Sequence, residues 1–292
     1  MLDRLRAAAR QKLQRAVTEV VEPRLDRSDE AQQARHDESL ARLDALTKAL
    51  EERLDALTKA LEERLDAIDE RFTAVHDRLA EMEFRARRDM WYALDATAAR
   101  ESATYALDHF PKARWFWHPH DTLRFALGEV KVAGLALEFG VATGTTLTII
   151  AEALSADHTV VGFDTFTGLP ETWRTGFPAG TFAQDKPPDV PGARLLAGRF
   201  EDTLPEFLSS TDEEIAFLHI DSDLYSSAKT VLDLAGDRLA SGAVVVFDEF
   251  FNFAGWQQHE FRAWIEFVAR TGRGFDYLGY TGNNEQVVVR LH

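Results

Sequence analysis

The 292-residue chain contains no cysteine. That excludes a disulfide framework, a thiolate zinc site and a cysteine nucleophile, and it suits a reducing cytoplasm. No apolar run approaches the ~18 residues a membrane-crossing helix needs. The amino terminus, MLDRLRAAARQKLQRAV, also lacks the apolar centre of a secretory signal. Positive charge is in short supply, and the net charge is -16. The deficit is uneven: residues 1–90 carry 18 Lys/Arg against 21 Asp/Glu, whereas residues 91–292 carry 15 against 28. Nucleic-acid affinity rests on cations that neutralise phosphates, so the second part is unsuited to a phosphate polymer. A small substrate or a bound cation fits it better. With 45% hydrophobic residues there is ample material for a core.

What the first part does contain is a repeat. RLDALTKALEE occupies residues 42–52 and recurs letter for letter at 53–63, followed by the degenerate copy RLDAIDERFTA. An 11-residue period is three turns at about 3.67 residues per turn, so one apolar seam persists along the helix. It runs Leu43, Leu46, Leu50, Leu54, Leu57, Leu61, Leu65. Past Leu65 the spacing alternates threes and fours through Ile68, Phe72, Val75, Leu79 and Met82, a heptad seam. The remaining surface is largely Asp, Glu, Lys and Arg, so the seam needs other helices, most simply copies of itself. A solvated single helix, or one folded back on the body, is the alternative. Leucine at nearly every seam position selects no strand number. Asp44 with Lys48, and Asp55 with Lys59, are (i, i+4) pairs expected to add about 0.3 kcal/mol each. A helix over residues 37–89 would be roughly 80 Å long.

Ahead of it, residues 1–21 read as a short amphipathic segment ended by Pro23. Residues 1–16 hold five basic side chains and one acid, with Leu2, Leu5, Leu13 and Val17 as apolar positions. Such a helix suits the anionic inner face of a membrane, or packs as an extra helix at the end of the rod. The expected organisation is a basic helix and linker (1–36), a coiled-coil oligomerisation segment (37–90) and a second domain (91–292) whose residues 91–130, with Trp91, Trp115 and Trp117, form a helical cap.

In the second domain short apolar runs alternate with helical segments, the pattern of βαβ units and a mainly parallel sheet. Strands are expected at 134–139, 159–164, 193–197, 215–220 and 243–248, and helices around 145–154, 204–209, 226–239 and 259–271. Runs at 275–281 and 285–291, separated by Gly282, Asn283 and Asn284, read as a closing hairpin. Such sheets bind ligands beyond the carboxyl ends of their strands.

Each expected strand end carries a candidate. LEFGVATGTT places Glu138, Gly140 and Gly144 where a strand passes into a helix. Glycine there admits a ligand close to backbone, next to a helix amino terminus. A merely tight turn would look the same. An acid inside the motif suits a cationic amino-acid moiety better than phosphate, and the motif is not G-x-G-x-x-G. Asp164, 26 residues after Glu138, can accept from ribose hydroxyls or simply open a turn. Gly198 and Phe200 follow the third strand, where an aromatic covers an adenine ring or joins the core. Asp221 and Asp223 in HIDSDLY, with Asp248 and Glu249 in VVVFDEF, bring four carboxylates to one rim. Like charges at that density are costly, and a divalent cation is their natural neutraliser, with Mg²⁺, Ca²⁺ or Mn²⁺ favoured by oxygen ligands. Acids capping the next helices would account for one or two of them. His118 and His120 lack a ligand spacing. His219, inside an expected strand, reads as a core residue, and His259, at the head of a helix, is a lesser candidate for substrate contact.

LEFGVATGTT, FDTFTGLPE, GRFEDTLP, HIDSDLYSSAKTVLD, GAVVVFDEF and GWQQHEFRAWIEF, taken in order over roughly residues 134–270, resemble the class I S-adenosylmethionine-dependent methyltransferases. More narrowly, they resemble the macrocin family of sugar O-methyltransferases, which includes the mycinamicin and novobiocin enzymes. The resemblance implies a Rossmann-like α/β sheet and methyl transfer to a hydroxyl of a sugar or glycosylated acceptor, whether small molecule, glycan or glycolipid. It implies that Glu138, Gly140 and Gly144 line the methionine part of the cofactor, that Asp164 binds the ribose, and that Gly198 and Phe200 lie near the adenine. It also implies Asp221, Asp248 and Glu249 as magnesium ligands and Asp223 as general base. Glu249 departs from the family, which has aspartate there; the longer arm would shift the ion or withdraw Glu249 from it. Nothing in residues 1–90 belongs to the resemblance. A nicotinamide-dependent dehydrogenase shares the sheet but needs the missing glycine motif. A scaffold with a vestigial methyltransferase body would have no need of costly clustered acids.

Overall fold

The computed structural model of the chain describes the backbone of residues 2–292 and the side chains of residues 4, 7–20, 24, 27 and 29–292. The chain divides into two compact units, Met1–Glu83 and Phe84–His292.

The first unit is helical. Helix α1 (Leu2–Ala16) runs through a π-helical turn (Val17–Val21) into α2 (Glu22–Arg88). Pro23 therefore does not end the helical path. It follows directly on the π-helical turn, where the regular i→i−4 ladder is already interrupted and an absent N–H is tolerated. Of the apolar positions expected in α1, Leu13 is exposed, while the side chains of Leu2 and Leu5 lie outside the described residues. The 67 residues of α2 amount to about 100 Å of helix. Beyond Pro23 they contain neither glycine nor proline and are rich in Ala, Leu, Glu and Arg, the strong helix formers. Every seam residue from Leu43 to Met82 remains exposed. Among the described residues, the expected Asp44–Lys48 and Asp55–Lys59 ion pairs are not closed. Exposed pairs are worth less than about 1 kcal/mol, so hydration of the separate charges competes with them. No helix of the described residues is long and apolar enough to cross a membrane.

The second unit is a mixed sheet with helices on both faces. Its elements are α3 (Met90–His109), β1 (Arg114–Phe116), α4 (Pro119–Gly128), β2 (Leu135–Phe139), α5 (Thr145–Leu154), β3 (Thr159–Asp164), β4 (Ala193–Ala197), α6 (Phe200–Ser209), β5 (Ile215–Ile220), α7 (Tyr225–Ala235), β6 (Leu239–Phe247), α8 (Glu260–Thr271), β7 (Phe275–Thr281) and β8 (Val287–Leu291). The strand order is β1-β7-β8-β6-β5-β2-β3-β4, parallel except for β8, which runs antiparallel to both β6 and β7. Strands β2, β5 and β8 are buried nearly throughout, because α6, α7 and α8 cover one face and α4 and α5 the other.

Three expectations need correction. Residues 91–130 are not purely a helical cap, since β1 adds in parallel to β7 at the sheet edge. Its aromatic run Trp115–Phe116–Trp117 is strand-favouring, but the pairing partner lies far along the chain. The helix expected over 226–239 stops at Ala235, and β6 begins at Leu239. The carbonyls of Leu239 and Ala240 are taken by the Arg273 guanidinium at 2.8 and 3.2 Å, which ties this stretch to the following segment. The closing strand starts at Val287 rather than 285, leaving Glu285 in the turn.

From β2 the chain steps outward through β3 to β4, then returns to β5 on the other side of β2. Strand order reverses between β2 and β5, and such a switch point opens a crevice at the carboxyl ends of the strands.

Candidate active site

The crevice is built first from backbone. Where β2 ends, Gly140 adopts φ +95°, and a Cβ placed there would stand 1.7 Å from the Asp221 carbonyl oxygen. Only glycine lets the ends of β2 and β5 approach so closely. The turn continues through Ala142 at φ +43° to Gly144, the N-cap of α5. Asp164, at the end of β3, fixes this turn: one carboxylate oxygen accepts the N–H groups of Val141 and Ala142, both at 2.8 Å, and the other accepts that of Phe166 at 2.7 Å.

The acids stand on the neighbouring ends of β5 and β6. Asp221 is half-buried, and burial followed by repulsion from Asp248 pushes its carboxyl well above the usual range. Asp223 is buried with a left-handed backbone, φ +62°. Burial, then Asp248, raises its pKa to about 7, against the opposing pull of Arg174. Glu249 is buried and raised for the same two reasons. A further acid, Glu260 at the start of α8, is fully buried. Its carboxylate accepts the Glu249 N–H at 3.1 Å and the Ser222 N–H at 3.4 Å, so it ties the two acid-bearing turns together.

Beneath the rim lies a pair that spans two strands. Glu138 of β2 is in register with His219 of β5, and its carboxylate meets His219 Nδ1 at 2.8 Å. Burial raises the Glu138 carboxyl, and the contact with His219 opposes the rise. On its other side, His219 Nε2 is 3.9 Å from an Asp248 oxygen. His219, Asp221 and Asp248 offer ligand atoms that all lie within 4.8 Å of one another. Of the three expected metal ligands, Asp221 and Asp248 therefore converge; Glu249 is outside this group and His219 is inside it.

These elements line a cavity of about 790 Å³. Gly140, Asp164, Phe200, Asp221, Asp223, Asp248 and Glu249 all reach it. Glu138, Gly144 and Gly198 do not. Glu138 faces His219; Gly144 packs against Pro188 and Val190; a Cβ at Gly198 would meet only Thr203. Phe200 serves both readings, packing edge-on against Phe139 at 5.1 Å while lining the cavity. The opposite wall comes from residues 165–182. There Trp173 and Phe177, with Phe253, surround Arg174, whose guanidinium lies 3.8 Å from the Trp173 ring centroid and 3.0 Å from Glu285. His259 is half-buried beside this wall, 5.4 Å from the Phe253 ring centroid, and its pKa is lowered first by burial and then by Arg174. Sequence reading missed Glu260 and Arg174. Glu260 resembles any acid in a first helical turn, and Arg174 lies in a loop without local periodicity.

A mainly parallel sheet whose strand order reverses at a glycine turn, closed by an antiparallel hairpin and carrying acids on its central strand ends, is an open α/β ligand-binding architecture. Residues 137–250 match the sequence family described as "Methyltransferase domain". Similar solved structures include the calicheamicin methyltransferase CalS11, at 26% identity over 58% of this chain and 76% of that one, with a TM-score of 0.48. The O-methyltransferase NovP is 22% identical over 58% of this chain and 78% of its own, with a TM-score of 0.46. An O-methyltransferase from Bacillus cereus is 16% identical over 68% and 90%, with a TM-score of 0.41. The sequence matches no curated protein.

Proposed function

We propose that the chain is an O-methyltransferase that moves a methyl group from S-adenosylmethionine to a hydroxyl of a sugar or glycosylated acceptor, assisted by a divalent cation. The observation that carries this reading is the convergence of Asp221, Asp223 and Asp248 on one cavity beside the Gly140 turn, with the carboxyls of Asp221 and Asp223 pushed upward by burial and by Asp248.

Gly140 and Ala142 would lie along the amino-acid part of the cofactor, Asp164 beside its ribose and Phe200 beside its adenine. The cofactor supplies an electrophilic methyl on sulfur for in-line displacement by oxygen. Asp221, Asp248 and His219 are the ligand set for the cation. His219 meets Glu138 through Nδ1 and turns Nε2 toward Asp248, so Nε2 would be the nitrogen offered to the cation. Two carboxylates and one imidazole suit Mn²⁺ as well as Mg²⁺, and Ca²⁺ less. When bound, the cation stabilises a developing alkoxide. Asp223 is the general base: a carboxyl raised to about 7 is poised to accept a proton near neutral pH. Glu260 holds the two acid-bearing turns at their spacing, and Glu249 stands behind the ligands. The walls, by excluding water, bring hydroxyl and methyl together at about 3 Å.

The first unit is read as a self-association segment. The basic segment 1–21 is read as a peripheral contact with the inner membrane face, for which an absence of liposome flotation would count as disproof. The catalytic reading is tested by titrating S-adenosylhomocysteine into metal-stripped protein, alone and with Mn²⁺ or Mg²⁺, and by assaying Asp248→Ala with sugar acceptors. The cofactor product is expected to bind in both conditions, and Asp248→Ala to bind it while losing turnover. An active Asp248→Ala enzyme would remove the metal, and no binding at all would remove the methyltransferase reading.

A further inference from the structure

The charge flanking the α2 seam assigns the seam an orientation. We propose that residues 43–82 pair with a second copy of this chain in parallel and in register, which rests on the self-association reading above.

The seam is continuous and uncovered: its twelve residues from Leu43 to Met82 are between 53% and 74% exposed. A contiguous apolar stripe of that length marks an interaction face. Its two borders differ in charge. The residue just before the first leucine of each repeat is Arg42, Arg53 and Arg64, and the heptad part continues this border with Arg71 and Arg78. The opposite border, just after the second seam residue of each turn, is Thr47, Thr58, Asp69 and His76, with Glu51 and Glu62 close behind. In a parallel pair of helices each border faces the opposite border of its mate, whereas in an antiparallel pair like borders meet. Parallel pairing sets Arg64 beside Asp69 of the second copy and Arg71 beside its His76. Antiparallel pairing sets the arginine border against itself.

Register is fixed by the break in period. Within residues 42–63 the two identical repeats would tolerate a slip of one repeat without any change in what they touch. The heptad part does not. The same slip sets Leu65 against His76 and Phe72 against Glu83, taking both out of the apolar seam. The in-register arrangement alone keeps all twelve seam residues in contact, and both chains then leave the coil at the same end.

The absence of cysteine makes the test direct. Full-length Leu46→Cys, Leu57→Cys and Leu79→Cys variants are each equilibrated in a glutathione redox buffer, singly and as mixed pairs, and the disulfides are counted by mass spectrometry. Light scattering and helicity are measured alongside. The expected result is a multimer in which Leu46→Cys and Leu79→Cys chains each cross-link to themselves at least tenfold more than to any other variant. A dominant Leu46→Cys to Leu79→Cys cross-link would overturn the parallel orientation. A dominant Leu46→Cys to Leu57→Cys cross-link would overturn the register. A monomer by light scattering would overturn self-association itself.

Discussion

Asp223→Asn isolates what the acid cluster costs the fold. Asparagine matches the shape of aspartate and tolerates the left-handed φ of +62° at this position, so the exchange removes little but the charge. An aspartate with a pKa of about 7 in the folded protein, against an ordinary value of 3.8, favours folding only while it is protonated. The penalty is near zero below the unfolded pKa and grows as pH rises toward the folded one. It saturates above that at about 4 kcal/mol, three pKa units at about 1.36 kcal/mol each. In a domain of this size each kcal/mol moves Tm by about 2–4 °C. Metal-free Asp223→Asn is therefore expected to melt several degrees above the parent protein at pH 8, with the advantage largely gone by pH 4. Turnover should fall by roughly 10²–10⁴ at every pH, as for a lost general base. The assay is calorimetric melting in chelator across that range, paired with methyl transfer. A variant that melts lower than the parent at pH 8 would refute the reasoning, because the carboxylate would then be held by favourable contacts.

Gly140→Ala is expected to destabilise the second unit by at least ~3 kcal/mol, since its Cβ would collide with the Asp221 carbonyl; chemical denaturation measures it. Glu260→Gln should weaken cation binding by about 10–100-fold, because one of the two backbone N–H groups loses its acceptor. Its affinity for S-adenosylhomocysteine should stay unchanged, and separate titrations of ion and cofactor product distinguish the two. Leu54→Asp combined with Leu57→Asp should leave α2 helical by circular dichroism but reduce the protein to a monomer in light scattering, with methyl transfer to a small acceptor retained.

The strands β2 to β6 were legible because each is a short apolar run bounded by glycine or acid, and in β2 and β5 burial on both faces demands that pattern. β1 was not legible: three residues cannot display a period, and their partners, Gly279 to Thr281, lie beyond five other strands and most of the helices. The acids at 221, 223 and 248 could be placed on one rim because β5 and β6 are consecutive, parallel neighbours. Glu138, expected beside the cofactor, is set against His219 in the structure. An acid in a buried strand signals a buried partner, and that partner, His219, becomes adjacent only when β2 and β5 pair in register. Glu260 was missed for a related reason. Its job is set by two backbone N–H groups on other turns, which leave no trace in the sequence around it. Pro23 was taken as a stop, although beside a π-helical turn the helical path runs on through it.

On the proposed reading of its role at the ribose, Asp164 has a consequence for which cofactor analogues the protein accepts. A carboxylate offers about four lone-pair sites, and here three are taken by the N–H groups of Val141, Ala142 and Phe166. One site is left to greet a ribose, so a vicinal diol meets a single acceptor where two are normally available. Donors stripped of one ribose hydroxyl should thus be admitted at modest loss, and the glycine turn, already braced by the same side chain, need not reshape itself each time spent cofactor is exchanged for fresh.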